Sequence, residues 1–202
     1  MSVTKQRLID GLRASRPRWQ LTAGSGDAAV ALVISGVDQP AITLCVKAPH
    51  LRRHAGEVSL PGGKVDTSDA DSLDAARREL TEETGIVLPR ASALGSLDQI
   101  YSLHGLRVTP HVFWSEEPLT GYPNEPEIAK VFRCPLHRIL DAPDGFEQSR
   151  HRDIEGLWMP RWVVGDQTIW GLTALILANF RTLGLGQPIR YPNGQDPFQT
   201  TL

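Results

Sequence analysis

The chain has 202 residues, a formal charge of −2, 41% hydrophobic residues and 22% charged ones. One domain with a proper core is the default at that length. The balance excludes disorder and the basic footprint of a nucleic-acid binder, and no apolar run reaches the roughly 20 residues that cross a bilayer.

The first residues, Met-Ser-Val-Thr-Lys-Gln-Arg, are polar and lack the hydrophobic segment of a secretion signal. Cys45 and Cys134 both lie in apolar runs and read as buried thiols, which suits a reducing cytosol; the expected location is cytoplasmic. Residues 3–15 place Val3, Leu8, Ile9 and Leu12 among charges, the pattern of an amphipathic helix. Arg16-Pro17-Arg18 and Gly24-Ser25-Gly26-Asp27 mark a loop. Ala28 to Ser35 is a continuous apolar run, a strand buried on both faces, and Asp38-Gln39-Pro40 turns it toward a partner strand, Ala41 to Val46. In the next stretch, Leu51 to Leu60, Arg52, Arg53 and His54 stand beside Gly56. Arginine matches phosphate with paired donors, so these three are candidate phosphate contacts; the alternative is an ordinary charged surface loop.

Pro61-Gly62-Gly63-Lys64-Val65-Asp66 then leads through a short acidic linker to Ala75-Ala76-Arg77-Arg78-Glu79-Leu80-Thr81-Glu82-Glu83-Thr84-Gly85-Ile86. This is a glycine turn feeding a helix, with Ser68 or Asp69 as the expected cap and Gly85 suited to a left-handed end. Leu73, Ala76 and Leu80 form a core-facing stripe. Glu79 and Glu83 lie one turn apart beside it, and Glu82 sits one turn after Arg78. Like charges at that spacing repel by roughly 0.2–0.5 kcal/mol, and carboxylates near a helix C-terminus oppose its dipole. A solvated acidic face balanced by Arg77 and Arg78 is one explanation. A hard divalent cation, Mg²⁺ or Mn²⁺, is the other, because both favour carboxylate oxygen and the glycine pair lets backbone approach closely.

Leu94 to Ser102 and Leu106 to Trp114 read as strands joined at His104-Gly105. Pro110 cannot donate to a ladder, so the second should be an edge strand or carry a bulge. His104, Arg107 and His111 are minor candidates for substrate contact. Glu127 opens a further strand after the Pro123–Pro126 loop. Pro135 to Leu140 suggests a short helix, Pro143-Asp144-Gly145 a turn, and Arg150 to Val164 a hairpin with Gly156 near its turn. Thr168 to Arg181 is a strongly apolar helix starting near Gly171. One domain over 1–183 is expected, with 184–202 an extended tail that a second subunit could order, as in a homodimer.

Arg-Glu-Leu-x-Glu-Glu-x-Gly-Ile after Pro-Gly-Gly resembles the signature of the Nudix hydrolases, which cleave nucleoside diphosphates linked to another group. The usual box has a glycine, five residues, a glutamate, seven residues, then Arg-Glu; counting back from Arg78 puts Lys64 and Ala70 in those places. The loop is one residue longer and its acids are Asp66, Asp69 and Asp71. Leu-Arg-x-His-x-Gly-Glu-Val before the turn, Gly-Leu-Arg-Val-Thr-Pro and Ile-Trp-Gly-x-Thr-Ala resemble the coenzyme A diphosphatase subgroup in particular, which shares the longer loop, although Leu60 replaces a commoner aromatic residue. The resemblance covers about residues 28–183. It implies an α/β fold, a Nudix-type α/β/α sandwich with a mixed central sheet and the acidic helix beside it. It also implies a Mg²⁺ or Mn²⁺ cofactor held by Glu79, Glu83 and Glu82, with Glu82 a third ligand or the base. Arg78 would hold these acids, a backbone carbonyl at Gly62-Gly63 would complete the coordination, and Glu127, with Glu125 in reserve, would join the metal cluster or activate water. The implied substrate is a coenzyme A-class nucleotide. The alternatives are ADP-ribose, NADH or a dinucleoside polyphosphate, and a non-catalytic nucleotide-binding module.

Overall fold

The computed structural model describes residues 3–14, 26–102, 105–148 and 158–194. Helix α1 (Lys5–Ala14) buries Leu8 and Leu12. Strands β1 (Asp27–Ser35) and β2 (Ala41–Lys47) follow, as their apolar runs require, and pair antiparallel only next to their turn, at Ile34 with Ile42 and Ser35 with Ala41. Further along they part. The segment before the motif helix fills the fork: β3 (Val58–Ser59) pairs with β2, β4 (Gly62–Lys64) pairs with β1, and the Ala31 N–H donates to the Pro61 carbonyl at 2.8 Å. The glycine turn is therefore part of the sheet.

Helix α2 (Ser72–Thr84) comes next, then β5 (Ala93–Ser96), β6 (Ile100–Tyr101), β7 (Arg107–Ser115) and β8 (Ile128–Pro135). β7 runs parallel to β1 along its whole length, whereas β8 pairs antiparallel with the outer side of β2. The result is a mixed sheet, eight-stranded among the described residues. Pro110 does not mark an edge, because β7 lies between β1 and β5. Its carbonyl accepts from Leu97 on the β5 side, so its missing N–H faces the break between β5 and β6, and the bulge is in the partner, at Ala93/Gly95.

After α3 (Leu136–Leu140), β9 (Gly145–Gln148), β10 (Trp158–Val164) and β11 (Gln167–Ile169) form a second sheet, three-stranded among the described residues. The hairpin expected at 150–164 thus has its first strand earlier, at Gly145–Gln148, and Gly145 opens that strand rather than closing a turn. Gly156, like His104, lies outside the described residues. Helix α4 (Gly171–Asn179) is followed by one wide turn, Phe180–Gly184.

Alternate residues of β1 serve opposite layers. Ala29, Ala31 and Val33 face α2 and pack on Ala75, Ala76 and Leu80; Leu32 and Ile34 face the larger core with α1, α4, Trp162 and Phe180. Helices flank the sheet on both sides. Leu185, Ile189 and Tyr191 are buried in that same core, so this part of the tail packs on its own domain. Cys45 and Cys134 are free and buried. No helix of the described residues is long and apolar enough to cross a membrane.

Candidate active site

The cap of α2 is Asp71, not Ser68 or Asp69. Asp71 directly precedes the first helical residue in extended backbone (φ −161°), and its Oδ1 accepts from the Asp74 N–H at 2.9 Å. The Arg90 guanidinium also bonds Asp71 and holds its carboxyl down at about 2. Asp69 is turned elsewhere: it takes Arg78 in a two-pronged pair, Nε–Oδ1 and Nη2–Oδ2 both 3.0 Å. The same guanidinium reaches Glu82 at 2.7 Å, Glu79 at 3.0 Å and the Lys64 carbonyl at 3.0 Å. Arg78 therefore ties the long loop to two of the three helix carboxylates, and Asp69 is the loop acid that holds it there.

Glu83 points the other way, into the fork. It is only 3% exposed; its Oε1 takes the Lys47 ammonium at 2.6 Å and its Oε2 accepts from the Gly62 N–H at 3.2 Å. Burial pushes the Glu83 carboxyl above its ordinary range, with Lys47 and Gly62 offsetting only part of this. Burial also raises Glu79, against the pull of Arg78. Lys47 is penalised by burial too, yet Glu83 keeps it above its usual value.

The glycine pair is required by contact. A Cβ on Gly62 (φ 158°) would come within 2.4 Å of the Ala29 carbonyl oxygen, and one on Gly63 within 2.4 Å of the Glu79 carboxylate. The turn thus brings Gly62, Gly63, Glu79 and Glu83 together. Arg52, Arg53 and His54 occupy the exposed end of the β2–β3 hairpin. His54 holds a left-handed backbone (φ 60°), and its Nδ1 lies 2.8 Å from Glu57 Oε2. Glu127 is exposed; its carbonyl accepts from the Ala48 N–H at 2.8 Å and its charge acts on Lys47, whereas the charge of Glu125 acts on Glu79. Arg107 is paired with Asp27 at 2.7 and 2.8 Å, and His111, made less basic by burial, lies 3.0 Å from Ser72 Oγ.

Among the described residues no three acids, histidines or cysteines converge closely enough to hold one ion; Lys47 and Arg78 share the helix carboxylates between them. By chemistry the donor set still suits a hard divalent cation: three carboxylate residues beside a backbone turn stripped of side chains. Sequence reasoning missed Lys47. Its signal was the charge that ends the apolar run of β2, on the face shared with Thr43 and Cys45.

Against this geometry, the sequence profile of the NUDIX domain matches residues 25–170. The chain belongs to the Nudix family. It is 36% identical over 176 residues to an uncharacterized Nudix hydrolase NudL of Yersinia enterocolitica serotype O:8 / biotype 1B, covering 86% of this chain and 90% of that one. A NudL of Yersinia pestis (strain Pestoides F) is 37% identical over 151 residues, covering 74% and 75%. Among solved structures, a MutT/nudix family protein from Enterococcus faecalis superposes with a TM-score of 0.52 over 90% of this chain and 74% of that chain. At 15% identity that likeness is one of fold. The protein is a Nudix hydrolase.

Proposed function

We propose that this Nudix hydrolase cleaves the diphosphate of coenzyme A or its derivatives, with Mg²⁺ or Mn²⁺, giving 4′-phosphopantetheine and adenosine 3′,5′-bisphosphate. The observation that carries the reading is continuity. The Arg52-Arg53-His54 hairpin runs through β3 into the Gly62-Gly63 turn with two residues, Leu60 and Pro61, between. The proposed phosphate donors and the turn that meets Glu79 and Glu83 thus belong to one short segment, which suits a substrate carrying a diphosphate and a further phosphate on its ribose.

In the reaction, water adds across one P–O bond of the bridging oxygen; hydroxide goes to one phosphorus and the proton to the phosphate that leaves. Glu79, Glu82 and Glu83 would hold the cation, which shields phosphoryl charge and acidifies bound water. Arg78 holds Glu79 and Glu82 toward the turn, Lys47 and Gly62 fix Glu83, and Arg52, Arg53 and His54 bind phosphate oxygens. Glu82 or the loop acid Glu127, with Glu125 in reserve, accepts the proton of the attacking water.

A substrate panel tests this: coenzyme A, its thioesters, ADP-ribose, NADH and a dinucleoside polyphosphate, each with Mg²⁺ and Mn²⁺, products read by mass. The expected result is 4′-phosphopantetheine, or its acylated form, at the highest kcat/KM. Intact coenzyme A and thioesters beside a hydrolysed competitor would sink the assignment and leave the family activity standing.

A further inference from the structure

An α-helix leaves its last four carbonyls without helical partners. In α2 these belong to Thr81, Glu82, Glu83 and Thr84, so two of the four sit on residues of the carboxylate cluster. A strap formed by the loop after β7 satisfies them. The Tyr122 N–H donates to Thr84 O at 3.0 Å and the Asn124 N–H to Glu83 O at 3.1 Å. The Asn124 side-chain amide reaches Glu82 O at 3.0 Å and, more distantly, Thr81 O at 3.5 Å; the cap residue Gly85 donates to Thr81 O at 2.9 Å. Each end of the strap is anchored to the sheet: Leu119 N–H donates to Ser35 Oγ at 3.2 Å, and Glu127 O accepts from Ala48 N–H at 2.8 Å. Close approach is built in, since a Cβ on Gly121 would meet Val131 at 2.9 Å and Thr84 at 3.1 Å.

We infer that Asn124 is a positioning residue for the hydrolysis, clamping the last turn of α2 so that Glu79, Glu82 and Glu83 stay in register with Glu125 on the strap. The inference rests on reading the α2 carboxylates as the reacting cluster. In this role Asn124 acts through the backbone of the acids beside it. Its donors cost nothing in charge, whereas a lysine or arginine there would draw Glu82 or Glu83 out of the site. Outer partners that orient ligand residues matter by about 10–100-fold in affinity or rate.

The test compares Asn124→Ala and Asn124→Asp with Asp71→Ala, which removes the cap at the opposite end of the same helix. The full chain is used throughout. In metal-free protein, both Asn124 variants should speed amide hydrogen exchange at Tyr122 and residue 124 about 10-fold. Calorimetric titration with Mn²⁺ should give about 10-fold weaker binding, and kcat should fall about 10-fold with KM unchanged, on whichever diphosphate the panel identifies. Asp71→Ala should lower thermal stability while leaving Mn²⁺ affinity and kcat as they were. Asn124 variants that keep wild-type Mn²⁺ affinity and kcat overturn the inference, and so does an Asp71→Ala variant that loses both equally. Exchange and Mn²⁺ binding need no substrate, so they decide the matter even if coenzyme A proves not to be cleaved.

Discussion

Helices α2 and α4 lie on opposite faces of the same sheet and bury themselves by different means. From Thr173 to Asn179 every residue of α4 is buried, and its two polar members are fully engaged: Thr173 Oγ1 donates to Val58 O, and Asn179 exchanges two hydrogen bonds with Asp98. Helix α2 instead approaches the sheet on small residues, Ala75 and Ala76 against Ala29 and Ala31, and puts the acidic Glu83 where a core residue would go. The first is held by apolar burial, worth about 1.5–3 kcal/mol for each large side chain. The second gives up some of that to keep carboxylates beside a bare backbone turn. Substitutions should separate the two: damage to α4 shows in stability, damage to the carboxylate end of α2 in turnover.

The largest expected effect is on the acidic side. Glu79→Gln keeps shape and removes charge, so kcat should fall on the order of 10²–10³-fold while circular dichroism stays that of the wild type. A variant that retained full turnover would reduce α2 to a structural helix. Next comes Leu177→Ala in α4, which empties a fully buried site and should cost about 3 kcal/mol in denaturant unfolding. Its kcat, measured well below the melting transition, should be unchanged; a selective loss of activity would erase the contrast between the helices.

The smallest effect is at the solvent end of α2. Asp71→Ala removes a cap worth about 1 kcal/mol, read as a modest fall in melting temperature. Because Arg90 depresses Asp71 from 3.8 to about 2 in the folded chain, its contribution is complete above pH 4 and disappears as pH falls toward 2. The gap between wild type and variant should therefore be constant at neutral pH and close only in strong acid. A gap that closed near pH 6 would point to a different titrating group.

Patterns carried by neighbouring residues were legible in the sequence. The apolar runs of β1 and β2, the alternating burial of β7 and the apolar helix from Gly171 all fold as their local patterns require, because how much of each element must leave water is written in adjacent residues. The acidic helix was legible for the opposite reason, through repulsion that no helix needs. Long-range pairing was not legible. Nothing near Lys47 says that its ammonium meets Glu83, and nothing near Pro110 says that a gap in another strand will absorb its missing donor. Among three aspartates within six residues, only the loop path decides that Asp71 caps the helix while Asp69 grips Arg78. Asn124 sits in a proline-rich turn with no periodicity at all, and its partners lie about forty residues earlier.

The fork between β1 and β2 has a bearing on where this chain can change length. Residues 58–64 are laced into both strands, so adding or deleting a residue there would slide Gly62 and Gly63 past Glu79 and Glu83. Between β4 and α2 the ladder ends once Val65 N–H has donated to Asp27 O; beyond it the linker is held by the Arg78–Asp69 grip, the Arg90–Asp71 pair and the helix cap. The extra residue relative to the usual Nudix spacing falls in that linker, the one tolerant interval between two rigid fixtures.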